Sequence, residues 1–357
     1  TIRVIHTPGH TMESSCFLLI DETGKETSLF SGDTLFIGDV GRPDLAQKVK
    51  ADLTEDILAG YLFDSLRNKI MPLADDIIVY PAHGAGSACG KNMSKETTDT
   101  LGNQKKTNYA LNPALTREAF KKEVLTGLVA PPAYFPLNVL MNIKGYDSID
   151  KVLERGQHAL SPEGFEAAAT ETGALILDTR KATEFTEGFI PESISIGLDG
   201  RFAEWAGTLL PFNQDLVLVT EEGKEEETLI RLARVGLDAI QGYLKGGFEA
   251  WKTADEKIDI IIDVDTEELA LDIPHDPKLE IIDVRKQAEF DAGHIKTSKN
   301  IPLQTIQKAI PELKKSGKVV ITVCRSGSRS GMAKSILKSA GIEVYNGGPW
   351  NVLKSKI

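Results

Sequence analysis

The strongest constraint on this chain is that its second half contains the same pattern twice. Leu-Ile-Leu-Asp-Thr-Arg at 175–180 returns as Glu-Ile-Ile-Asp-Val-Arg at 280–285. Each run is a short apolar strand closing on Asp-x-Arg. Each is followed by an acidic–aromatic pair, Glu184-Phe185 and Glu289-Phe290, and then by Gly188-Phe189-Ile190 and Gly293-His294-Ile295. A second apolar strand follows in both copies, Leu216–Val219 and Val319–Val323, and after it a helical stretch. Paired glycines come last with a tryptophan just beyond: Gly246-Gly247 with Trp251, and Gly347-Gly348 with Trp350. A period of about 100 residues is too long for a solenoid unit and is the size of a small domain. Short buried strands alternating with helical patterns imply parallel α/β sheets. Two α/β domains are therefore expected, over 158–256 and 257–357.

The first half has a different texture, and 1–150 is expected to form a third region with its linker. Strands at Ser15–Ile20 and Ile77–Tyr80 alternate with glycine-rich loops. A helix is expected over Thr54–Lys69, capped by Asp52 or Thr54, and another near Thr116–Gly127. Lys91–Thr107 reads as a polar stretch. The proline-rich run 131–136 reads as a break in regular structure at the domain exit. Thr1–Ile5 reads as a buried strand, an unusual way for a natural chain to begin, so a longer parent protein is expected.

The net charge of −11 argues against a nucleic-acid or anionic-membrane partner. No apolar run approaches the roughly 20 residues that span a bilayer, and the start does not resemble a secretory signal. Three cysteines, Cys16, Cys89 and Cys324, do not make a disulfide framework in 357 residues. A cytoplasmic location is the expectation. Homo-oligomers are compatible with the sequence, which shows no interface.

The sharpest local motif is Cys324-Arg325-Ser326-Gly327-Ser328-Arg329-Ser330, between a strand and a helix expected over Met332–Ser339. Small residues and a glycine let backbone N–H groups turn inward as an anion-binding nest. A helix N-terminus adds positive potential. Arg325 and Arg329 flank the cavity. Such surroundings favour a thiolate or persulfide on Cys324, the candidate nucleophile. Arg325, Ser326, Gly327, Ser328, Arg329 and Ser330 are the candidate substrate-binding residues. Asp283, Arg285 and His294 read as hydrogen-bonding supports of the sheet and loop.

This loop, with Asp283-Val284-Arg285 and Gly293-His294-Ile295 before it, resembles the rhodanese family across most of 265–357. The resemblance implies that Cys324 takes a sulfane sulfur and passes it to sulfite, cyanide or another thiol. Cysteine-dependent phosphatases of similar fold have a loop one residue longer between cysteine and arginine, whereas four residues separate Cys324 from Arg329. In the first copy the corresponding stretch is Thr220–Glu227, with the cysteine position at about Glu221. It contains no thiol and is crowded with carboxylates. It resembles a rhodanese that has lost catalysis, with a structural or docking role.

Four segments stand out near the start: 7–11 (with His10), 30–36 (with Asp33), 41–45 (Gly-Arg-Pro-Asp-Leu, with Arg42) and 80–87 (with His83). Each potential ligand follows an apolar strand, and imidazole and carboxylate donors suit zinc or non-haem iron. The set resembles the metallo-β-lactamase superfamily over roughly 1–115. Gly41–Leu45 and the His83 loop look like persulfide dioxygenases. That resemblance implies one Fe(II), with Zn(II) as the other option, on His10 and Asp33. His83 matches a second-metal position of dinuclear relatives and is expected beside the site, and Arg42 is expected near the thiol carrier. The family's His-x-His-x-Asp-His segment does not occur, so the site is incomplete in this chain and its remaining histidine would lie upstream of Thr1. Cys16 reads as a buried strand residue, and Cys89 as a possible persulfide carrier near the His83 loop.

The whole order is an α/β multidomain chain: a partial metallo-β-lactamase αββα sandwich, a degenerate rhodanese-like domain and an active rhodanese domain with parallel sheets. It resembles bacterial persulfide dioxygenase–sulfurtransferase fusions. The resemblance implies sulfide detoxification, with a low-molecular-weight thiol persulfide as substrate and sulfite or thiosulfate as partners. The alternatives are a glyoxalase II-type dinuclear thioester hydrolase fused to rhodanese domains, a non-catalytic sulfide-responsive binding module, and a thiol-based phosphatase.

Overall fold

The computed structural model describes residues 1–45, 53–87, 89–128, 132, 134–261 and 266–357. The chain forms two compact units, Thr1–Gly145 and Tyr146–Ile357.

The first unit is built on a mixed sheet with strands in sequence order. These are β1 (Ile2–His6), β2 (Ser15–Ile20), β3 (Glu26–Gly32), β4 (Ile78–Pro81) and β5 (Asp99–Thr100). β1, β2 and β3 form an antiparallel meander, β4 runs parallel to β3, and β5 is antiparallel to β4. Strand alternation gives the sheet two faces. Cys16, Leu18, Leu29 and Val79 are buried against Ala59, Leu62, Leu66 and Phe120 from helical segments. Side chains of this kind contribute about 1.5–3 kcal/mol each on burial, enough to fix the register.

The opposite face carries Ile2, Val4, Phe17, Phe30 and Tyr80, each between 40% and 63% exposed, with Phe30 stacked on Tyr80. β1 is therefore an exposed edge strand rather than the buried strand its composition suggests. An apolar run shows that a strand has a face to cover, not that the face is covered.

Local signals place the helices well. Glu55–Ser65 starts at Thr54, whose hydroxyl accepts from the Ile57 N–H, and continues as a π-helical turn over Leu66–Ile70. Asp52, the other candidate cap, lies outside the described residues. Arg117–Leu125 is capped by Thr116. The polar stretch 91–107 is more ordered than expected, since it holds β5 and a helix at Leu101–Thr107. A helix at Phe135–Lys144 also begins inside the proline run. Pro136 occupies its first turn, where a missing N–H costs nothing. Pro131 and Ala133 lie outside the described residues.

The second unit contains two parallel sheets. One has the order β6-β10-β9-β7-β8, from β6 (Ala159–Leu160), β7 (Leu175–Asp178), β8 (Ile194–Ser195), β9 (Leu216–Val219) and β10 (Ile240–Leu244). The other has the order β12-β11-β13-β14, from β11 (Leu279–Asp283), β12 (Lys299–Asn300), β13 (Val319–Cys324) and β14 (Val344–Pro349). Without edge strand β6, the two orders coincide.

Registers make the equivalence exact to the residue. Asp178 pairs with Val219, and Asp283 pairs with Val323. Thr220 thus stands where Cys324 stands, one residue before Glu221. Strand pairing corrects the count because connections between strands differ in length without moving the strands. The two copies also touch. The Ser195 N–H donates to the buried Ser335 hydroxyl at 3.1 Å, on the helix Ser328–Ser339 that follows the cysteine loop.

Candidate sulfur-transfer and metal sites

Cys324 closes β13, and the chain reverses through Gly327 into the helix beginning at Ser328. Gly327 has φ +94°, a left-handed turn that disfavours any other residue. The turn aims the Gly327 N–H at Cys324 Sγ, 3.1 Å away. The Ser330 hydroxyl lies 3.4 Å from the same sulfur and 2.9 Å from the Gly327 carbonyl oxygen, and its single proton can serve one of them at a time. The thiol itself is fully buried, while Arg325, Ser326 and Ser328 form an exposed rim.

The cationic groups are not aimed at the sulfur. Arg329 donates through Nη1 and Nη2 to the two Glu289 oxygens at 2.7 and 2.9 Å. This pairing holds the Glu289 carboxyl at about 2, well below its usual range, and raises Arg329 further. Arg285 is bidentate to Asp283, donates to the Gly293 carbonyl oxygen at 2.7 Å, and lies against the Trp350 ring. His294 donates from Nδ1 to the Phe290 carbonyl oxygen and stacks on the Phe290 ring. Asp283, Arg285 and His294 are thus joined to the framework. Glu289 is the residue that sequence reasoning missed at this site. It stood out only as a repeat marker, because a contact forty residues away leaves no local signal.

The first copy keeps the framework and has no cysteine in the loop. Arg180 is bidentate to Asp178, donates to the Gly188 carbonyl oxygen, and lies against Phe248. Gly223 repeats the left-handed turn at φ +80°. Counted from Thr220, it is the equivalent of Gly327, so Glu225 stands where Arg329 stands. A cleft of 460 Å³ opens here, lined by Arg180, Glu184, Thr220, Glu221, Glu222 and Phe248 among others.

In the first unit, loops after β1 and β3 and the segment beyond β4 bring His10, Asp33 and Cys89 together. Each offers one donor atom, and these atoms lie within 4.8 Å of one another. His10 Nδ1 donates to the Arg42 carbonyl oxygen at 2.9 Å, which leaves Nε2 with its lone pair facing Asp33. Burial lowers the His10 pKa against the pull of Asp33, which favours the neutral ring. Asp33 Oδ1 is buried and accepts no hydrogen bond among the described residues, with His83 Nε2 3.2 Å away. An orphaned carboxylate oxygen beside a neutral imidazole suits a cation.

Gly41 is required by close approach. A Cβ there would lie 1.9 Å from the Asp33 carbonyl oxygen and 3.1 Å from His10 Nδ1. Arg42 is buried and bidentate to Asp44, and its N–H donates to the Cys89 carbonyl oxygen. Burial raises the Cys89 thiol, with Ser87 opposing. Cys16 is buried in the core and likewise raised.

Comparison with known proteins follows this division. A metallo-β-lactamase structure from Staphylococcus aureus subsp. aureus COL is 33% identical, covers 68% of this chain and 66% of that chain, and superposes with a TM-score of 0.54. An uncharacterised protein of Mycobacterium tuberculosis strain H37Rv is 34% identical over 91 residues, which is 25% of this chain and 37% of its own length. The hydroxyacylglutathione hydrolase GloC of Haemophilus influenzae is 33% identical over 110 residues, 31% of this chain and 40% of its own length. The chain spans well under two thirds of these curated relatives. The fold is mixed α/β, like its metallo-β-lactamase neighbour, with two further domains on parallel sheets. The rhodanese-like domain family matches 161–254 and 265–349, half of the sequence. This chain belongs to the rhodanese-like domain family.

Proposed function

We propose that the chain is a sulfurtransferase acting through a persulfide on Cys324, coupled to metal-dependent persulfide chemistry in its first unit. The observation that carries the first part is a cysteine sulfur at a strand end, held by the Gly327 N–H and within reach of the Ser330 hydroxyl. The step balances simply. The Cys324 thiolate attacks the outer sulfur of R–S–SH, that sulfur's bond to R–S breaks, and Cys324–S–SH and R–S⁻ result. An acceptor such as sulfite then attacks the outer sulfur and leaves as thiosulfate, restoring the thiolate. The Gly327 N–H steadies the anionic sulfur before and after transfer.

The test is sulfur loading from thiosulfate and from cysteine persulfide, followed by mass spectrometry. Cys324→Ser is expected to abolish loading and thiosulfate:cyanide turnover. Unchanged turnover would overturn the assignment. An aryl phosphate assay is expected to show no phosphatase activity.

His10 and Asp33 would hold the metal, with His83 or Cys89 beside it. The orphaned Asp33 Oδ1 supports this reading. An Fe(II) ion there would supply oxygen-dependent oxidation of a persulfide to sulfite, and the pairing with Cys324 would serve sulfide detoxification. The same donors suit Zn(II), and the likeness to a hydroxyacylglutathione hydrolase favours thioester hydrolysis as the second reading. Metal analysis separates them: about one iron per chain supports the first, and a metal pair supports the second. Asp33→Asn is expected to reduce metal content in either case.

A further inference from the structure

The sulfur loop carries two arginines, and in the structure the one nearer the helix, Arg329, is already paired. Both terminal nitrogens of Arg329 are engaged by Glu289. Arg285 is held by both oxygens of Asp283. Arg325 sits exposed on the rim. The groups that reach Sγ are neutral donors, an amide N–H and a hydroxyl. With its carboxyl held down at about 2, Glu289 stays ionised throughout the working pH range.

The first copy isolates the pairing. Glu184 occupies the place of Glu289, one residue before the aromatic, but Glu225 replaces the arginine. The acid is present in both copies, and only the copy with a thiol answers it with a cation.

We infer that Glu289 is a specificity-determining residue of the Cys324 site: by neutralising Arg329 it favours persulfide donors, whose transferring S–SH end carries at most one negative charge, over dianionic thiosulfate. This inference rests on the sulfur-transfer reading of Cys324 and narrows its substrate class. Loading from R–S–SH releases R–S⁻. Loading from thiosulfate forms the same sulfur–sulfur bond to Cys324, breaks the bond to the sulfonate sulfur and releases sulfite. The second route brings two negative charges to a loop in which Arg329 is already paired.

The experiment compares single-turnover sulfur loading of the full chain from thiosulfate and from cysteine persulfide. Glu289→Gln is expected to raise the thiosulfate-to-persulfide ratio about tenfold, the order expected when one charge is unmasked at a partly exposed site. The gain should lie mainly in the half-saturating thiosulfate concentration and shrink at high salt. Glu289→Asp, which keeps the charge, should retain the wild-type ratio. Arg329→Met leaves the acid uncompensated and should lower the ratio. It keeps the inference testable if Glu289→Gln does not fold. An unchanged ratio in Glu289→Gln, an equal loss for both donors in every variant, or a rise in Arg329→Met would overturn the inference. If Cys324→Ser still loads sulfur, the underlying assignment fails instead.

Discussion

The two rhodanese-like copies share a scaffold and differ in what the scaffold presents. Both hold a buried Asp-x-Arg clamp, Asp178–Arg180 and Asp283–Arg285, with the guanidinium against an aromatic ring and a glycine carbonyl oxygen. Both turn through a left-handed glycine after the central strand. At the loop, Cys324 and Arg329 in one copy face Thr220 and Glu225 in the other. The lesson is that framework and chemistry occupy separable residues. A few differences change what the loop offers while the clamp, sheet order and turn persist.

The comparison can be broken most forcefully at the clamp. Asp283→Asn or Asp178→Asn leaves a buried guanidinium without its counter-charge, and each is expected to destabilise its domain by about 3–5 kcal/mol. Calorimetry should show comparable losses in both copies, although only the first substitution can affect sulfur loading. A large loss in one copy alone would end the claim of a shared framework.

A smaller effect is expected from installing a thiol in the silent copy. Thr220→Cys should remain unloaded by persulfide, because Glu221, Glu222 and Glu225 surround it with like charge. Adding Glu221→Arg and Glu225→Arg should give detectable loading, read by mass spectrometry. Full loading of Thr220→Cys alone would show that the charge pattern does not matter.

The glycine turns come next. Gly327→Ala and Gly223→Ala should each cost about 1 kcal/mol, since a side chain is disfavoured at these angles. Only Gly327→Ala should also slow loading, by moving the N–H that meets Cys324 Sγ. Denaturant titration beside the loading assay tests both halves.

The smallest effect is a pH dependence. Glu289 is held at about 2 when folded against an ordinary 4.5, so its contribution to stability is present above about 4.5 and is lost as pH falls toward 2. Unfolding midpoints of wild type should fall through this window more steeply than those of Glu289→Gln. Among the described residues the first copy has no equivalent pair at Glu184, and Glu184→Gln should bring no matching change.

Much of this fold is legible in the residues. The duplicated Asp-x-Arg, the glycine pairs and the strand patterns gave the tandem domains, because local motifs and periodicity follow from backbone geometry. Thr54 and Thr116 read as helix starts for the same reason. What the sequence hides is long-range. The Arg329–Glu289 pair, the approach of Cys89 to His10 and Asp33, and the bond from the Arg42 N–H to the Cys89 carbonyl oxygen depend on how segments fold back. Thr220 was displaced by one position because counting cannot see strand register. β1 was read as buried because an apolar pattern says nothing of what covers it, and the polar stretch 91–107 concealed a helix because its buried residues are few.

The Ser330 hydroxyl has one hydrogen and two claimants, the Gly327 carbonyl oxygen and Cys324 Sγ. A neutral thiol accepts weakly, so the hydrogen rests on the carbonyl and ties the first helical turn to the glycine. An anionic sulfur is the stronger acceptor and draws that hydrogen, while the Gly331 N–H, which also donates to the Gly327 carbonyl oxygen at 2.9 Å, keeps the turn tied. One hydroxyl can therefore follow the charge on the sulfur while the backbone of the turn stays in place.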